Sequence, residues 1–249
     1  MFEVLFQYGS VTLKTFNVIL AITFLLTGAF AIRFSDRQNL NLSFLSKNFV
    51  YLILFALLSG RVFYVIEHWP AFRSSLLYIF YFWDMHFSFF GILYGFVGGL
   101  LLLTHKAKED FWSWYDVSVF SMLFSLIFIN IGHFFNGSHY GIPTDLPWGI
   151  SFDTQNIPFV NPIHPTQLYA AILALLIFLY SMKRSKRVHL SGVVGNTAIM
   201  AFSIGMIALD FLHGAPSLYT KVSFGIIATL AFIFHVICSH KSHNLPKDE

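Results

Sequence analysis

The chain has 249 residues, of which 56% are hydrophobic, 19% aromatic and only 11% charged. This composition is typical of an integral membrane protein and excludes an ordinary soluble domain. The net charge of +3 is small and the basic residues are scattered among apolar runs, so the sequence presents no surface for nucleic acid.

Seven apolar windows are each close to the roughly 20 residues that a helix needs to cross a bilayer. They lie near 15–33, 48–67, 87–104, 117–136, 166–182, 191–212 and 217–238. We therefore predict an all-α membrane protein, a seven-transmembrane helical bundle in which residues 1–249 form a single domain.

The positive charges between these windows predict the orientation, because short loops rich in Lys and Arg stay on the cytoplasmic side. They cluster in the first, third and fifth loops and in the tail: Arg33, Arg37, Lys47, Lys106, Lys108, Lys183, Arg184, Lys186, Arg187, Lys241 and Lys247. We expect the N-terminus outside and the C-terminus inside, with the loops 68–86 and 137–165 forming extracytoplasmic lobes.

Arg61 lies more than halfway along the second span, where a charge is costly unless it faces a partner or a water-filled cavity. A guanidinium is a planar fork of donors that suits phosphate oxygens, which favours a role in holding an anionic head group. The alternative is a structural ion pair with Asp84, Asp116 or Asp210 inside the bundle.

The fourth span ends in polar residues that share one face. Asn130, His133 and Gly137 recur at helical spacing, and Asn136 falls beside them. Amides and imidazoles also hold membrane helices together by hydrogen bonds, and glycines let helices approach closely. A packing role and a substrate-binding role therefore both stay open for these residues taken singly.

The polar hexapeptide at 164–169 opens directly into the apolar run of the fifth span. It places His164, Gln167 and Tyr169 on the first turn of a helix that meets the outer leaflet in the predicted orientation. Folding alone does not require an imidazole, an amide and a phenol there. The pattern predicts a binding site for the polar head group of a lipid.

Asp210 and His213 lie three residues apart at the outer end of the sixth span. A carboxylate within reach of an imidazole can orient and charge it, which makes a general base possible there. The same residue types are also common at exposed helix ends, where they are only solvated.

These motifs, taken in order, resemble those of the prolipoprotein diacylglyceryl transferase family. The matching residues are Gly60-Arg61-x-x-Tyr64, Trp83-Asp84, Ser88-Phe89-x-Gly91, Asp116, Gly132-x-Phe134-x-Asn136-Gly137 and His164-Pro165-x-Gln167-Leu168-Tyr169. The likeness runs from about Phe16 to Phe211, and the hexapeptide is its most specific part.

The resemblance implies a reaction, a location and a set of partners. The family transfers the diacylglyceryl group of phosphatidylglycerol to the thiol of a lipobox cysteine in a lipoprotein precursor, in the bacterial inner membrane. The reaction needs a positive site for the phosphate and a base that generates the thiolate. It requires no metal or other cofactor, and the single cysteine, Cys238, excludes a multi-cysteine metal site.

The chain departs from the family's pattern at several positions of the site. Phe90, Asn130 and Met206 stand where the family has a histidine and two arginines. Further replacements are Ser138 and Asp210 for glutamates, Phe16 for a tyrosine, His133 for an asparagine, Ala170 for a glutamate and His213 for an arginine. Because each charge-assisted hydrogen bond is worth roughly 1.5–3 kcal/mol, transfer requires Arg61, His133, His164 or His213 to replace the missing groups.

Three interpretations of function follow. The leading one is a divergent transferase in which His164 or His133 is the base and Arg61 holds the anion. Further catalytic or substrate-binding candidates are Tyr169, Asp210, Asn130, Asn136, Gly137, Gln167 and His213. The second interpretation is a catalytically inactive scaffold of the same fold that binds a lipid or a partner. The third is a pathway for a small solute or proton, which is the weakest because the polar residues crowd toward the outer half.

Overall fold

The computed structural model describes residues 4–8, 11–73, 75–84, 86–152, 157–187 and 191–243. A short antiparallel hairpin, β1 (Val4–Tyr8) and β2 (Val11–Lys14), leads into a chain that is otherwise mainly helical. The helices are α1 (Thr15–Arg37), α2 (Leu42–Glu67), α3 (Trp69–Phe72), α4 (Phe89–Ala107), α5 (Phe111–Asn136), α6 (Thr166–Ser185), α7 (Val193–Asp210) and α8 (Leu218–His243).

Seven of these helices, all except the four-residue α3, are long and apolar enough to cross a membrane. This confirms the predicted seven-span, all-α fold, and the chain is a multi-pass membrane protein. Each predicted window overlaps one helix, but α2 begins at Leu42 instead of 48 and α5 begins at Phe111 instead of 117. At α2 the difference comes from a local cap, since the Asn41 side chain accepts a hydrogen bond from the Ser43 amide at 3.1 Å. Hydrophobicity does not report such a cap.

The chain divides into two compact units, residues 1–34 with 116–249 and residues 35–115. In the second unit, α2 and α4 pack closely because glycines face α2. A Cβ atom on Gly91 would lie 2.6 Å from the Cβ atom of Phe63, and one on Gly95 would lie 2.4 Å from the main-chain oxygen of Phe55. Such approaches are possible only without a side chain. That the whole chain acts as one membrane domain, with its N-terminus outside, remains a prediction.

In the first unit, a carboxylate from α5 caps the start of α7. The two carboxylate oxygens of Asp116 accept hydrogen bonds from the amides of Gly192 at 2.8 Å and Gly195 at 2.9 Å. Gly192 has a φ of 83°, a conformation that glycine adopts without strain. Amides at a helix N-terminus have no partner within the helix, and a negative charge there also complements the helix dipole. Asp116 thus fastens α7 to α5 at the end opposite to the candidate site.

Candidate functional site

After the last residue of α5, the chain folds back onto the final turn of that helix. Gly137 adopts a φ of 68°, the Ser138 amide donates to the His133 carbonyl at 3.1 Å, and the Gly137 amide donates to the Phe134 carbonyl at 3.3 Å. These two bonds form a Schellman motif, which requires a left-handed residue after the helix. As a result, the Ser138 side chain lies beside the polar face of α5.

Ser138 joins polar side chains from α5 and α6. Its hydroxyl lies 2.8 Å from Nδ1 of His133 and accepts from Nδ2 of Asn136 at 3.5 Å. Its main-chain oxygen accepts from Nε2 of Gln167 at 2.6 Å. Gln167 is only 1% exposed, and its Oε1 has no hydrogen-bond partner among the residues that the structure describes. The hydrogen bonds therefore hold the end of one span against the start of another.

Three imidazoles follow one another next to Ser138. The ring of His139 lies 4.5 Å from that of His133 and 5.9 Å from that of His213, measured between centroids. The Thr166 hydroxyl donates to the His139 carbonyl at 2.7 Å, which ties this residue to α6. Although His139 as a residue is exposed, partial burial of its ring and then the nearby His213 lower its pKa below the ordinary 6.5. The neutral imidazole is the favoured form.

The hexapeptide forms a second hydrogen-bonded group. Nδ1 of His164 lies 3.2 Å from the hydroxyl of Tyr169, and the indole Nε1 of Trp148 donates to the same hydroxyl at 2.8 Å. His164 and Tyr169 thus come together as the sequence predicts. Among the described residues, the ring of His164 makes its hydrogen bond through Nδ1.

The loop after Ser138 holds the site by its backbone. The Gly141 amide donates to the His164 carbonyl at 3.1 Å, and the Ile142 amide donates to the Leu212 carbonyl at 2.9 Å. Gly141 and His213 also form an antiparallel bridge. A Cβ atom on Gly141 would lie 2.5 Å from the His164 carbonyl oxygen, so only glycine fits. The loop therefore links the start of α6 to the end of α7.

Two predicted site residues make their bonds away from this cluster. Nδ2 of Asn130 donates to the Leu126 carbonyl of its own helix at 2.7 Å. The carboxylate of Asp210 pairs with Nζ of Lys221 at 3.3 Å and accepts from the Ser217 amide at 3.3 Å. The expected pairing of Asp210 with His213 is not formed.

His213 contacts the backbone instead of that carboxylate. Its Nδ1 lies 3.2 Å from both the carbonyl oxygen and the amide nitrogen of Ala215. Asp210 instead pairs with the full positive charge of Lys221 on α8. His213 therefore belongs to the site through its ring contact with His139.

Arg61, in the other unit, lies on α2 and is only 2% exposed. Its guanidinium donates to main-chain oxygens of the segment that follows: Nε to Ile79 at 3.0 Å, Nη1 to His86 at 3.1 Å and Nη2 to Tyr78 at 2.7 Å. A buried cation that meets three carbonyl dipoles has much of its desolvation cost offset. Arg61 therefore stabilises the irregular connection between α2 and α4.

Sequence reasoning missed two contacts that build the site. Ser138 entered only as a departure from the family's pattern, and Trp148 was not among the predicted site residues. A clue existed for Ser138, since Asn136-Gly137 predicts a helix end that folds back. No local pattern places Trp148 against Tyr169, because 21 residues separate them.

Comparisons with a family profile and with individual proteins point to the same family. The profile of the family described as "Prolipoprotein diacylglyceryl transferase" matches residues 3–240. A phosphatidylglycerol--prolipoprotein diacylglyceryl transferase of Synechococcus sp. (strain CC9902) is 29% identical over 219 residues, covering 84% of this chain and 78% of that protein. One of the same name from Photobacterium profundum is 34% identical over 193 residues, covering 74% of this chain and 70% of that protein.

Proposed function

This chain belongs to the prolipoprotein diacylglyceryl transferase family, and we propose that it carries out the transfer named in its relatives' descriptions. The donor is phosphatidylglycerol, and the acceptor is the thiol of a lipobox cysteine in a lipoprotein precursor. The reaction takes place at the outer face of a bacterial inner membrane. The family match over nearly the whole chain supports this function.

The chemistry is a displacement at carbon. The thiolate attacks the glyceryl carbon that bears the phosphate, a carbon–sulfur bond forms, and the carbon–oxygen bond to the phosphate breaks. The diacylglyceryl group stays on sulfur, glycerol phosphate leaves, and the thiol proton passes to a base. Since only the thiolate is an effective nucleophile, the site must supply that base.

The observation that carries the proposal is the convergence on Ser138. His133, Asn136 and Gln167 come from two spans and bond to one residue, while His164 and Tyr169 lie at the start of the same α6 helix. Imidazole is the side chain best suited to accept a proton near neutral pH. We assign the base to His133 or His164.

The remaining site residues receive supporting roles. Asn136, Gln167 and Tyr169 orient the reacting groups by hydrogen bonds, Gly137 provides the turn that brings Ser138 back, and His213 completes the row of imidazoles. Asn130 and Asp210 make no side-chain hydrogen bond to this cluster among the described residues. Asn130 supports it through its bond within α5, and Asp210 through its ion pair with Lys221. Phosphate binding by Arg61 remains a proposal that competes with the structural use of its guanidinium.

Complementation tests this function. The chain is supplied to bacterial cells depleted of their own lipoprotein diacylglyceryl transferase, and the precursor is analysed by mass spectrometry. We expect restored growth and a precursor whose mass has increased by a diacylglyceryl group. An unmodified precursor, with the chain correctly inserted in the membrane, would favour the inactive scaffold.

A further inference from the structure

Trp148 contributes a hydrogen bond that neither the family resemblance nor the hydrophobic pattern explains. Its indole Nε1 donates to the Tyr169 hydroxyl at 2.8 Å, and that hydroxyl also lies 3.2 Å from Nδ1 of His164. Trp148 itself is 55% exposed. Much of its surface is therefore exposed, while its one polar side-chain atom donates a hydrogen bond to a residue of the proposed site.

Main-chain hydrogen bonds hold the loop that carries Trp148. Ile150 and Ile163 exchange both of their main-chain hydrogen bonds at 3.0 Å, and the Gly149 amide donates to the Leu146 carbonyl at 2.9 Å. A Cβ atom on Gly149 would lie 3.0 Å from the Cβ atom of Pro162, so the turn packs tightly against the strand-like segment before the hexapeptide. The position of the indole is thus set by the backbone on both sides.

The chemistry of the indole fixes the first of these two hydrogen bonds. An indole N–H can only donate, so Trp148 occupies a lone pair of the Tyr169 oxygen. The same hydroxyl lies 3.2 Å from Nδ1 of His164, and either group can donate the proton of that hydrogen bond. In both cases the hydrogen bond fixes the orientation of the His164 ring.

We propose that Trp148 is a positioning residue of the transfer reaction, which acts through the Tyr169 hydroxyl to fix the orientation of the His164 ring. The inference rests on the proposed function. In this arrangement His164 is held through Nδ1, and a base at this position would use its other ring nitrogen, Nε2. An interfacial anchor would need only the aromatic ring of Trp148, whereas this role needs its N–H.

The test is Trp148→Phe, which keeps an aromatic ring and removes the donor. In vesicles of phosphatidylglycerol with a cysteine-containing precursor peptide, we expect kcat to fall about threefold to tenfold, the range set by one neutral hydrogen bond. KM for the peptide should stay unchanged, because the contact acts on a reacting group and not on binding. Trp69→Phe is the matched control, since Trp69 is 50% exposed and lies on α3. It should leave both constants unchanged.

A double-mutant cycle separates positioning from general loosening. In the Tyr169→Phe background the phenol is gone, so Trp148→Phe should have no further effect on kcat. Equal losses in both backgrounds, a change confined to KM, or full activity of Trp148→Phe would each overturn the inference while leaving the transferase function intact. A wild-type chain without transfer activity would instead refute the proposed function.

Discussion

The Ser138 cluster and the surroundings of Arg61 both place polar groups among apolar helices, but they use hydrogen bonds differently. Arg61 donates to three main-chain carbonyls, and the rings of Tyr64, Phe72 and Phe82 lie 5.5–5.8 Å from its central carbon. The Ser138 hydroxyl instead joins two side chains, His133 and Asn136, while Gln167 donates to its main-chain oxygen.

This difference distinguishes side chains that fix the backbone from side chains that can take part in a reaction. A side chain that bonds to the backbone fixes a segment, as Asp116 also does at the start of α7. An imidazole has two nitrogens, so one can be oriented by a neighbour while the other meets a substrate. In both His133 and His164 it is Nδ1 that is engaged. The predictions below test this separation.

The largest effect is expected at the base. Replacement of a general base lowers the rate by roughly 10²- to 10⁴-fold, so one of the variants His133→Ala and His164→Ala should fall into that range while the other loses less. Single-turnover transfer from phosphatidylglycerol vesicles measures both. Ser125→Ala is the control on α5, because its hydroxyl donates to the Met122 carbonyl of its own helix at 2.8 Å. If both histidine variants stay within about twofold of wild type, neither is the base.

The next effect concerns Arg61 and should appear in stability first. Arg61→Lys keeps the charge but loses the planar fork, so hydrogen bonds worth roughly 1.5–3 kcal/mol each are given up. We expect a lower unfolding temperature in detergent, with Arg73→Lys, an exposed arginine beyond α3, as the control. A variant with unchanged stability but a raised KM for phosphatidylglycerol would instead support phosphate binding by Arg61.

A smaller loss of stability is expected at Asp116. Asp116→Ala removes the cap of α7, and losing a helix cap costs about 0.5–2 kcal/mol. Thermal unfolding should shift downward, while kcat per folded molecule should stay near that of wild type, because the cap lies at the other end of these helices. A loss of kcat without a loss of stability would contradict a purely structural role.

The smallest effect is a pH dependence of stability caused by His139. Its pKa is lowered in the folded state, so below its ordinary pKa of 6.5 the unfolded state binds more protons and the free energy of unfolding decreases. Above that value the imidazole is neutral in both states and contributes nothing. His139→Asn removes the titration and suits the φ of 56° at this position, since asparagine tolerates left-handed backbone.

Unfolding curves between about pH 7.5 and pH 5.5 measure this effect. The wild-type chain should lose more stability across the range than His139→Asn. His133 and His213 are present in both proteins, so their titration is largely removed from the difference. Parallel curves would show that folding does not lower the pKa of His139.

Much of the fold could be predicted from the sequence, because the bilayer imposes a length and a composition on every span. The pairing of His164 with Tyr169 could also be expected, since both lie within one helical turn of the start of α6. The Ser138 cluster depends on a left-handed Gly137 that redirects the chain, and the pairing of Asp210 with Lys221 depends on how α7 and α8 pack. Such contacts are set by tertiary structure, which periodicity does not report.

The most direct test follows the product itself. The purified chain in phosphatidylglycerol vesicles is given a precursor peptide with a single cysteine, and mass spectrometry follows the peptide over time. We predict a mass gain of one diacylglyceryl group with the wild-type chain and none with the double variant His133→Ala, His164→Ala. No gain with the wild-type chain, or the same gain with both proteins, would contradict a transfer site between the end of α5 and the start of α6.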